Sequence, residues 1–336
     1  MKKTAVIVLN WNGKDSIADC LSSLVAQSFK TQIIVIDNGS VDGSLEFIKD
    51  NHPDIDLIVN RRNVGFAAGV NQGINRAIKL DLDYVALFNN DAVADKNWLK
   101  HLVDTLDSNK AVGIATCKFI SLDRSFIDST GDLYTIWGLP YPRGRKEPVS
   151  DIYDNSLDIF GASGGASLYR VSMLKEIGLF DKDFFAYYED VDVSFRAQLA
   201  GWKVKYVPLA IAYHQIGATS NKIKGFTTYQ TIKNLPWVVV KDVPFGLMYK
   251  VLPRFCLAYL SFIISAFARG QGRYAVKGLV VSIVFLPKKL VQRCKIQLSK
   301  KVTTKYIASI IIHDLPPNAS KLRGLWWKLT FNRRQD

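Results

Sequence analysis

Acid is what the end of this chain lacks. After residue 220 only three Asp or Glu stand against 21 Lys or Arg, a balance of +18, whereas residues 1–220 hold 27 against 23, a balance of −4. The net charge of +14 therefore belongs wholly to the last third. Such a segment attracts nucleic acid or anionic lipid. Cysteine is scarce too: Cys20, Cys117, Cys256 and Cys294 are scattered, with no CxxC pair and no metal-ligand spacing. That excludes a zinc ribbon and a disulfide scaffold, and the four read as reduced thiols. Long apolar runs are also missing. The longest uncharged stretch of the basic third, "FCLAYLSFIISAFA", covers 14 residues from Phe255, short of the roughly 20 that a membrane span needs. "YAVKGLVVSIVFLPKKL" is interrupted by Lys277 and Pro287. These stretches, with the basic "KKLVQRCKIQLSKK" after them, predict interfacial or re-entrant helices on an anionic surface; the alternative is a basic helical domain packed on the core. The opening "MKKTAVIVLNWNGKDS" begins like a signal peptide, but Asn10, Asn12 and Asp15 interrupt it too early, so it reads as a first buried strand.

What is present is a full core's worth of apolar residues, 48% of 336, with length alone suggesting two domains. From residue 4 to about 117, short β-rich runs ("AVIVLN", "IIVID", "LIV", "YVALF", "VGIATC") alternate with amphipathic segments. Ile17, Cys20, Leu21, Leu24 and Val25 fall at helical spacing, as do Trp98, Leu99, Leu102, Val103 and Leu106. Buried strands alternating with helices predict an α/β fold, a mostly parallel central sheet covered on both faces. Ligands of such sheets bind beyond the carboxyl ends of the strands. Four successive runs end in polar residues: Asn10-Trp11-Asn12, then Asp37-Asn38-Gly39-Ser40, then residues 60–65, then Asn89-Asn90-Asp91. Together they outline a site. Residues 118–160 read as a loop-rich insertion, and "GASGGASLYRVSMLKEIGLF" as a glycine-rich turn leading into a helix.

Several of these residues suit chemistry, each beside a plainer reading. Asp37 and Asp42 can accept from a ribose hydroxyl or a base N–H, or can close a turn and cap a helix. Arg61 and Arg62 precede Gly65, Gly69 and Gly73 at every fourth position, which suits a phosphate at a helix start or close helix packing through small residues. The spacing fits neither a dinucleotide fingerprint nor a P-loop. Asp91 is a hard-cation ligand in need of a second, and His214 ends another apolar run; a lone histidine is otherwise a hydrogen-bonded structural residue. In "FFAYYEDVDVSFR" three carboxylates follow four aromatics within a few residues. On a helix beginning near Tyr188 the first acids favour the macrodipole, and Asp192 can pair with Arg196 at i, i+4. That leaves Glu189 and Asp190, and a carboxylate held beside aromatics makes a general base.

In this order, "VIVLNWNG", "VIDNGSVDGS", "RNVGFAAGVNQG", "FNNDA", "GASGGASLYR", "YYEDVDVSFR" and "YHQIGATS" resemble the large second family of glycosyltransferases with the GT-A fold, and within it the rhamnosyltransferase-like bacterial members. The resemblance covers about residues 4–220. It implies a catalytic domain over 1–220, with a nucleotide-sugar half (1–117) and an acceptor half (118–220), followed by a membrane-associating helical region (221–336). It implies that Asn10, Trp11 and Asp37 hold the nucleoside, and that Arg62, Asn63, Gly65, Phe66, Gly69, Asn71, Asn89 and Asn90 line the diphosphate and donor sugar. The family's D-x-D element falls on Asn89-Asn90-Asp91, where only the last acid is present, so a divalent metal (Mg²⁺ or Mn²⁺) would rest on Asp91 and His214. Asp190 matches the base and Glu189 its neighbour, with Gly164, Gly165 and Tyr188 on the acceptor side. The implied reaction inverts the anomeric carbon, and the expected partners are a nucleoside-diphosphate sugar, dTDP-rhamnose first, a lipid-linked glycan acceptor and the cytoplasmic face of the membrane.

Rival readings are a sugar nucleotidyltransferase and an inactive nucleotide-sugar binder. A nucleic-acid protein is not expected, because the basic third is also apolar and the acidic core carries the motifs.

Overall fold

Runs such as "AVIVLN" and "YVALF" become interior strands because β-branched and aromatic residues fit a pleated surface buried on both sides. A computed structural model of the chain describes residues 3–215, 223–317 and 319. It divides into two compact units, one of residues 1–132 with 142–222 and one of residues 133–141 with 223–336.

The first unit opens with β1 (Thr4–Asn10), α1 (Ile17–Val25), β2 (Gln32–Asp37), α2 (Ser44–Asn51), β3 (Asp56–Val59), α3 (Phe66–Lys79), β4 (Tyr84–Asn89), β5 (Ala92–Ala94), α4 (Trp98–Ser108) and β6 (Val112–Ser121). Alternate residues of β1 serve opposite layers. Val6 and Val8 join Leu21, Leu24, Trp98 and Leu102 in one core cluster. Ile7 lies beneath α3, where a Cβ at Gly73 would come within 2.7 Å of it.

The insertion is more ordered than its composition predicts. It carries β7 (Ile127–Ser129), β8 (Asp132–Tyr134), β9 (Pro140–Pro142) and β10 (Leu157–Ile159). The glycine-rich turn leads first into a strand, β11 (Ala166–Arg170), and only then into α5 (Val171–Ile177); α6 (Glu189–Leu199) and β12 (Lys203–His214) follow.

The main sheet runs β10-β12-β6-β11-β4-β1-β2-β3, with β5 on β12 and β7 on β6, while β8 and β9 pair with each other. β1 is parallel to β2 and β4, and β12 is parallel to β6, while β11 is antiparallel to both β4 and β6. This direction matters for the site. The carboxyl ends of β1, β2, β4, β6 and β12 all reach one edge, and because β11 runs the other way it brings its beginning, just after Gly164 and Gly165, to the same edge.

The second unit is helical: α7 (Phe226–Asp242), α8 (Phe245–Ala268), α9 (Gly272–Val284), α10 (Leu286–Leu298) and α11 (Thr304–Ile310). Trp237 donates from its indole to the Ser282 carbonyl at 3.1 Å, tying α7 to α9. Leu133–Tyr141 belongs to this unit, with a β-bridge from Thr135 to Ile312. α8 corrects the expectation from the 14-residue stretch: the helix is continuous through Lys250, Pro253 and Arg254, so it reaches 24 residues with a mean hydropathy of 1.8 over its apolar window, of which 22% is buried. By length and composition it is enough to cross a membrane.

Candidate active site

The polar strand ends of β1, β2 and β4 are bound to one another. Asn10 and Asp37 are register partners with no exposed surface. Asn10 donates to Asp37 Oδ1 at 3.0 Å and to Ser44 Oγ at 2.9 Å, and its own Oδ1 accepts from Asn90 Nδ2 at 2.9 Å. Asp37 Oδ2 accepts from the backbone N–H of Gly39 and Ser40 at 3.1 and 3.0 Å, which is the turn-closing reading of this aspartate. Asp42 closes the turn before α2, accepting from the backbone and hydroxyl of Ser44 at 3.0 and 2.6 Å and from the Lys14 N–H at 2.8 Å, and against burial these bonds hold its carboxyl below the ordinary range. Trp11 lies half-buried beside this corner, and Arg61 and Arg62 are exposed at the end of β3.

The glycines of "NVGFAAGVNQG" divide between two uses. A Cβ at Gly69 would sit 2.4 Å from Leu9, so Gly69, like Gly73, serves close packing of α3 on β1. Gly65 has φ +88 and would meet Phe185 at 2.6 Å, so it admits the segment that precedes α6. Asn63 accepts from the Gly65 N–H at 2.8 Å and from Asn38 at 3.1 Å. Asn71 spends both ends of its amide on the backbone of Phe180, at 2.7 and 3.0 Å. The motif therefore anchors the loop that leads to the acidic helix.

That loop is strained. Phe185, Tyr187 and Tyr188 all have positive φ, at 67, 68 and 71°, a conformation that costs non-glycine residues of order 1–3 kcal/mol each. Its outcome is the placement of Glu189 and Asp190 in the first turn of α6. Asp190 Oδ2 accepts from the Gly164 N–H at 3.0 Å, and a Cβ on Gly164 would lie 3.3 Å from the Phe66 ring and 3.6 Å from the Asp190 Cβ. Burial raises the Asp190 carboxyl above the ordinary range, partly offset by the N–H donors of Gly164 and Val191. Glu189 is buried beside it. Asp192 turns away and pairs with Arg196 at 2.8 Å, and Arg196 also donates to the carbonyls of Ile177, Gly178 and Leu179, so this carboxylate is structural.

Asp91 and His214, 123 positions apart in sequence, meet at the edge. β5 pairs antiparallel with β12, setting His214 opposite Ala92. His214 Nε2 lies 3.2 Å from Asp91 Oδ1 and 3.3 Å from Asn89 Nδ2, its ring stacks on Phe119 at 4.6 Å, and Nδ1 lies 2.8 Å from Asp128 Oδ2. Burial opposes the charge on His214, but the hydrogen bonds and charges of Asp128 and Asp91 prevail and raise it to about 9. Asp128 lies on β7, and nothing in "RSFIDSTGD" sets this aspartate apart from its neighbours.

This arrangement fits a divalent cation. Two ligands at right angles, each roughly 2.1 Å from one ion, stand about 3.0 Å apart, close to the spacing of Nε2 and Oδ1, and Mg²⁺ commonly takes only one or two carboxylates plus substrate phosphate. A carboxylate behind the other ring nitrogen is the usual support of a metal-binding histidine. Among the described residues no cluster of three or more His, Cys, Asp or Glu could hold an ion, so the remaining ligands would have to come from substrate and water.

Gly165 closes the gap between the two ends of the site, since a Cβ there would meet Asn89 Nδ2 at 2.9 Å and Phe119 at 3.1 Å. Asp91, His214, Gly164, Gly165 and Asp190 thus share one edge of one sheet. Residues 216–220 of the last motif lie outside the described residues.

The mostly parallel sheet with helices is that of the GT-A fold, and solved structures share it. GalNAc-T7, a structure with UDP, GalNAc and Mn²⁺, superposes with a TM-score of 0.61 at 16% identity over 88% of this chain and 57% of that one. TarS 1–349 of S. aureus gives 0.53 at 17% identity over 88% and 90%. Residues 2–232 match the family described as Glycosyltransferase like family 2, and the chain belongs to it. Among curated relatives, the poly-beta-1,6-N-acetyl-D-glucosamine synthases of Staphylococcus aureus (strain MSSA476) and Staphylococcus epidermidis (strain ATCC 35984) are each 28% identical, over 217 and 219 residues. The matches cover 62% of this chain and 49% of those proteins, so the chain spans about half the length of the relatives it matches.

Proposed function

We propose that this glycosyltransferase inverts the anomeric carbon as it moves a sugar from a nucleoside diphosphate to a hydroxyl of a lipid-linked glycan, at the cytoplasmic face of the cell membrane. The observation that carries the reading is the sharing of one sheet edge by Asp190 and by the Asp91–His214 pair, joined through Gly164 and Gly165. Residues 1–117 form the donor half, 118–220 the acceptor half, and 221–336 the region that meets the membrane.

Asp190 is the general base. Its partial burial keeps it basic enough to take the acceptor proton, and the Gly164 N–H fixes the direction of its free lone pairs. Glu189 and Tyr188 orient the acceptor. Trp11 lies along the nucleoside, in a corner held from beneath by the buried Asn10–Asp37 pair, and Arg62, Asn63, Gly65, Phe66 and Asn89 flank the diphosphate and sugar. Asp91 and His214 hold Mg²⁺ or Mn²⁺, which when bound supplies electrophilic stabilisation of the departing diphosphate. Asp128 holds the His214 ring so that Nε2 stays turned to Asp91.

Two donors stand out. The motif pattern favours dTDP-rhamnose, and the names of the staphylococcal relatives favour an N-acetylglucosamine donor. A panel of dTDP-rhamnose, UDP-N-acetylglucosamine, UDP-galactose and GDP-mannose, tested for thermal stabilisation with and without Mn²⁺, separates them, because a ligand of the native state raises its apparent stability by mass action. One donor should raise Tm more with Mn²⁺ than without. Asp190→Asn should keep that shift yet slow transfer by roughly 10²-fold or more, the usual share of a general base. Near-normal transfer in Asp190→Asn would remove the base assignment.

A further inference from the structure

A second carboxyl, Asp132 of the insertion, lies close enough to the base to feel its charge. Residues 126–132 and 142–148 form an antiparallel ribbon: Ile127 N–H donates to Glu147 at 2.8 Å, Thr130 N–H to Arg143 at 3.0 Å, and Arg143 N–H to Gly131 at 2.8 Å. At its end Asp132 exchanges two backbone hydrogen bonds with Gly161, at 2.8 and 2.9 Å. The bare face of Gly161 is shared, since a Cβ there would lie 3.1 Å from Ser194 Oγ and 3.6 Å from the Asp132 Cβ. Ser194 stands one turn beyond Asp190 on the same face of α6, and its Oγ accepts from the Ala162 N–H at 3.2 Å. The short strap of residues 161–164 therefore has Asp132 at one end and Asp190 at the other.

The Asp132 side chain is 9% exposed and accepts no hydrogen bond from any described residue. Burial and the charges of Asp190 and Asp128 push its carboxyl up to about 8, against the pull of Arg145. Tyr169, on β11, supplies an independent sign of an unfilled site. It is 1% exposed, its hydroxyl has no partner among the described residues, and Asp190, Asp132 and Glu189 are near enough for their charges to oppose its ionisation. Buried polar groups are normally paired, so the unpartnered Tyr169 hydroxyl, within reach of the charges of Asp190 and Asp132, indicates a place for a proton, a water or a substrate hydroxyl. Arg145 borders it, 3.2 Å from Asp128 and itself 44% exposed, which opens this side to solvent.

We propose that Asp132 is the proton partner of Asp190, a positioning residue that accepts the proton Asp190 has taken from the acceptor and passes it to water beside Arg145. The inference rests on the reading of Asp190 as base. In the step, the acceptor O–H bond breaks and its proton goes to Asp190 as the acceptor oxygen bonds to the anomeric carbon. The bond from that carbon to the diphosphate oxygen breaks, and its electron pair leaves with the nucleoside diphosphate. The proton then moves from Asp190 to ionised Asp132, returning Asp190 to its basic form, and from Asp132 to water. No oxidant or further reactant is needed.

The test uses the full chain in detergent, labelled with ¹³C at the aspartate carboxyls and titrated by NMR without any substrate. The wild type should show Asp190 and Asp132 titrating as a linked pair, with the second step near pH 8. Asp132→Asn should leave Asp190 a single step, and Asp190→Asn should shift Asp132 downward. Because the Asp132 carboxyl is unpaired, Asn should not lower Tm; if that variant does not fold, the wild-type titration with Asp132→Glu decides. In the second arm, single-turnover hydrolysis is followed for whichever of UDP-N-acetylglucosamine, UDP-galactose, GDP-mannose and dTDP-rhamnose the protein cleaves. The wild-type rate should rise through about pH 8. Asp132→Asn should lack the rise and be roughly 10²-fold slower at high pH, the lower end of the usual contribution of a positioned proton-transfer group, with Asp132→Glu restoring part. Independent titration of the two carboxyls, or an unchanged pH profile in Asp132→Asn beside a slow Asp190→Asn, overturns this inference alone. A normal rate in Asp190→Asn overturns the base assignment and this inference with it.

Discussion

His214 gains its charge from where it is held. The ring is caught between Asp91 and Asp128, and its pKa is raised from 6.5 to about 9 although burial works the other way. The folded state therefore binds this proton more tightly than the unfolded chain does. The stabilisation is fully present below pH 6.5 and is lost as pH rises through 9, with an upper limit on the order of 3 kcal/mol at 1.36 kcal/mol per unit. In EDTA, Tm should fall between those pH values, and His214→Gln should flatten that part of the curve; equal slopes would show that the histidine is not charged in the fold. Asp192 obeys a different logic. It is fully buried against Arg196, so Asp192→Ala should cost about 3–5 kcal/mol by leaving a buried guanidinium uncompensated. Urea unfolding measures it, and a loss below about 1 kcal/mol would contradict the pairing. The sequence tells these acids apart in part: the i, i+4 spacing to Arg196 marks Asp192, whereas nothing local marks Asp128, Asp132 or Arg145, whose meaning depends on a ribbon closed by long-range pairing.

At the scale of elements, β1 to β4, β6, α1 and α4 were legible because each carries its own period, and a parallel strand buried on both faces reads as an unbroken apolar run. β11 was not. "ASLYR" is five residues between a glycine turn and a helix, and it becomes a strand only because β4 and β6 leave a slot between them. The same limit hides the joint between α3 and the loop before α6. Gly65 lies under Phe185, and the Phe185 carbonyl accepts from the Ala67 N–H at 3.2 Å. Gly65→Ala adds a Cβ 2.7 Å from that carbonyl and forces a φ of +88 on alanine. The expected cost is about 1–3 kcal/mol of backbone strain, relieved by moving Phe185 and with it the start of α6. Thermal melting and transfer rate should fall together, whereas Gly73→Ala, whose added Cβ comes nearest to the Ile7 and Ile36 side chains, should lower Tm with less effect on rate. Equal rate losses would separate Gly65 from the placement of Asp190.

At the scale of the whole molecule, charge and hydropathy change together near residue 220. α8 is long and apolar enough to cross a membrane, and Phe245, Ile264, Phe267, Val280, Ile283 and Val284 are exposed on α8 and α9. The basic residues Lys288, Lys295, Lys301 and Lys305 are exposed on and after α10. Contact with an anionic bilayer should then have two parts, an electrostatic one that salt screens and an apolar one that it leaves. A simple truncation near residue 222 is a poor test, because Tyr134, Ile136, Trp137 and Leu139 are buried in the helical unit and would lose their partners. Substituting those four exposed lysines by Gln removes their charge, at the cost of the Lys288 contact with the Phe285 ring, and leaves the buried residues of the helical unit in place. At about 1 kcal/mol for each lysine near an anionic surface, the variant should bind phosphatidylserine vesicles up to roughly 10³-fold more weakly. It should still need detergent for extraction from cell membranes, because the apolar faces of α8 and α9 are unchanged. A wild-type protein that stays in solution without detergent and sediments equally with neutral and anionic vesicles would detach the basic third from the membrane.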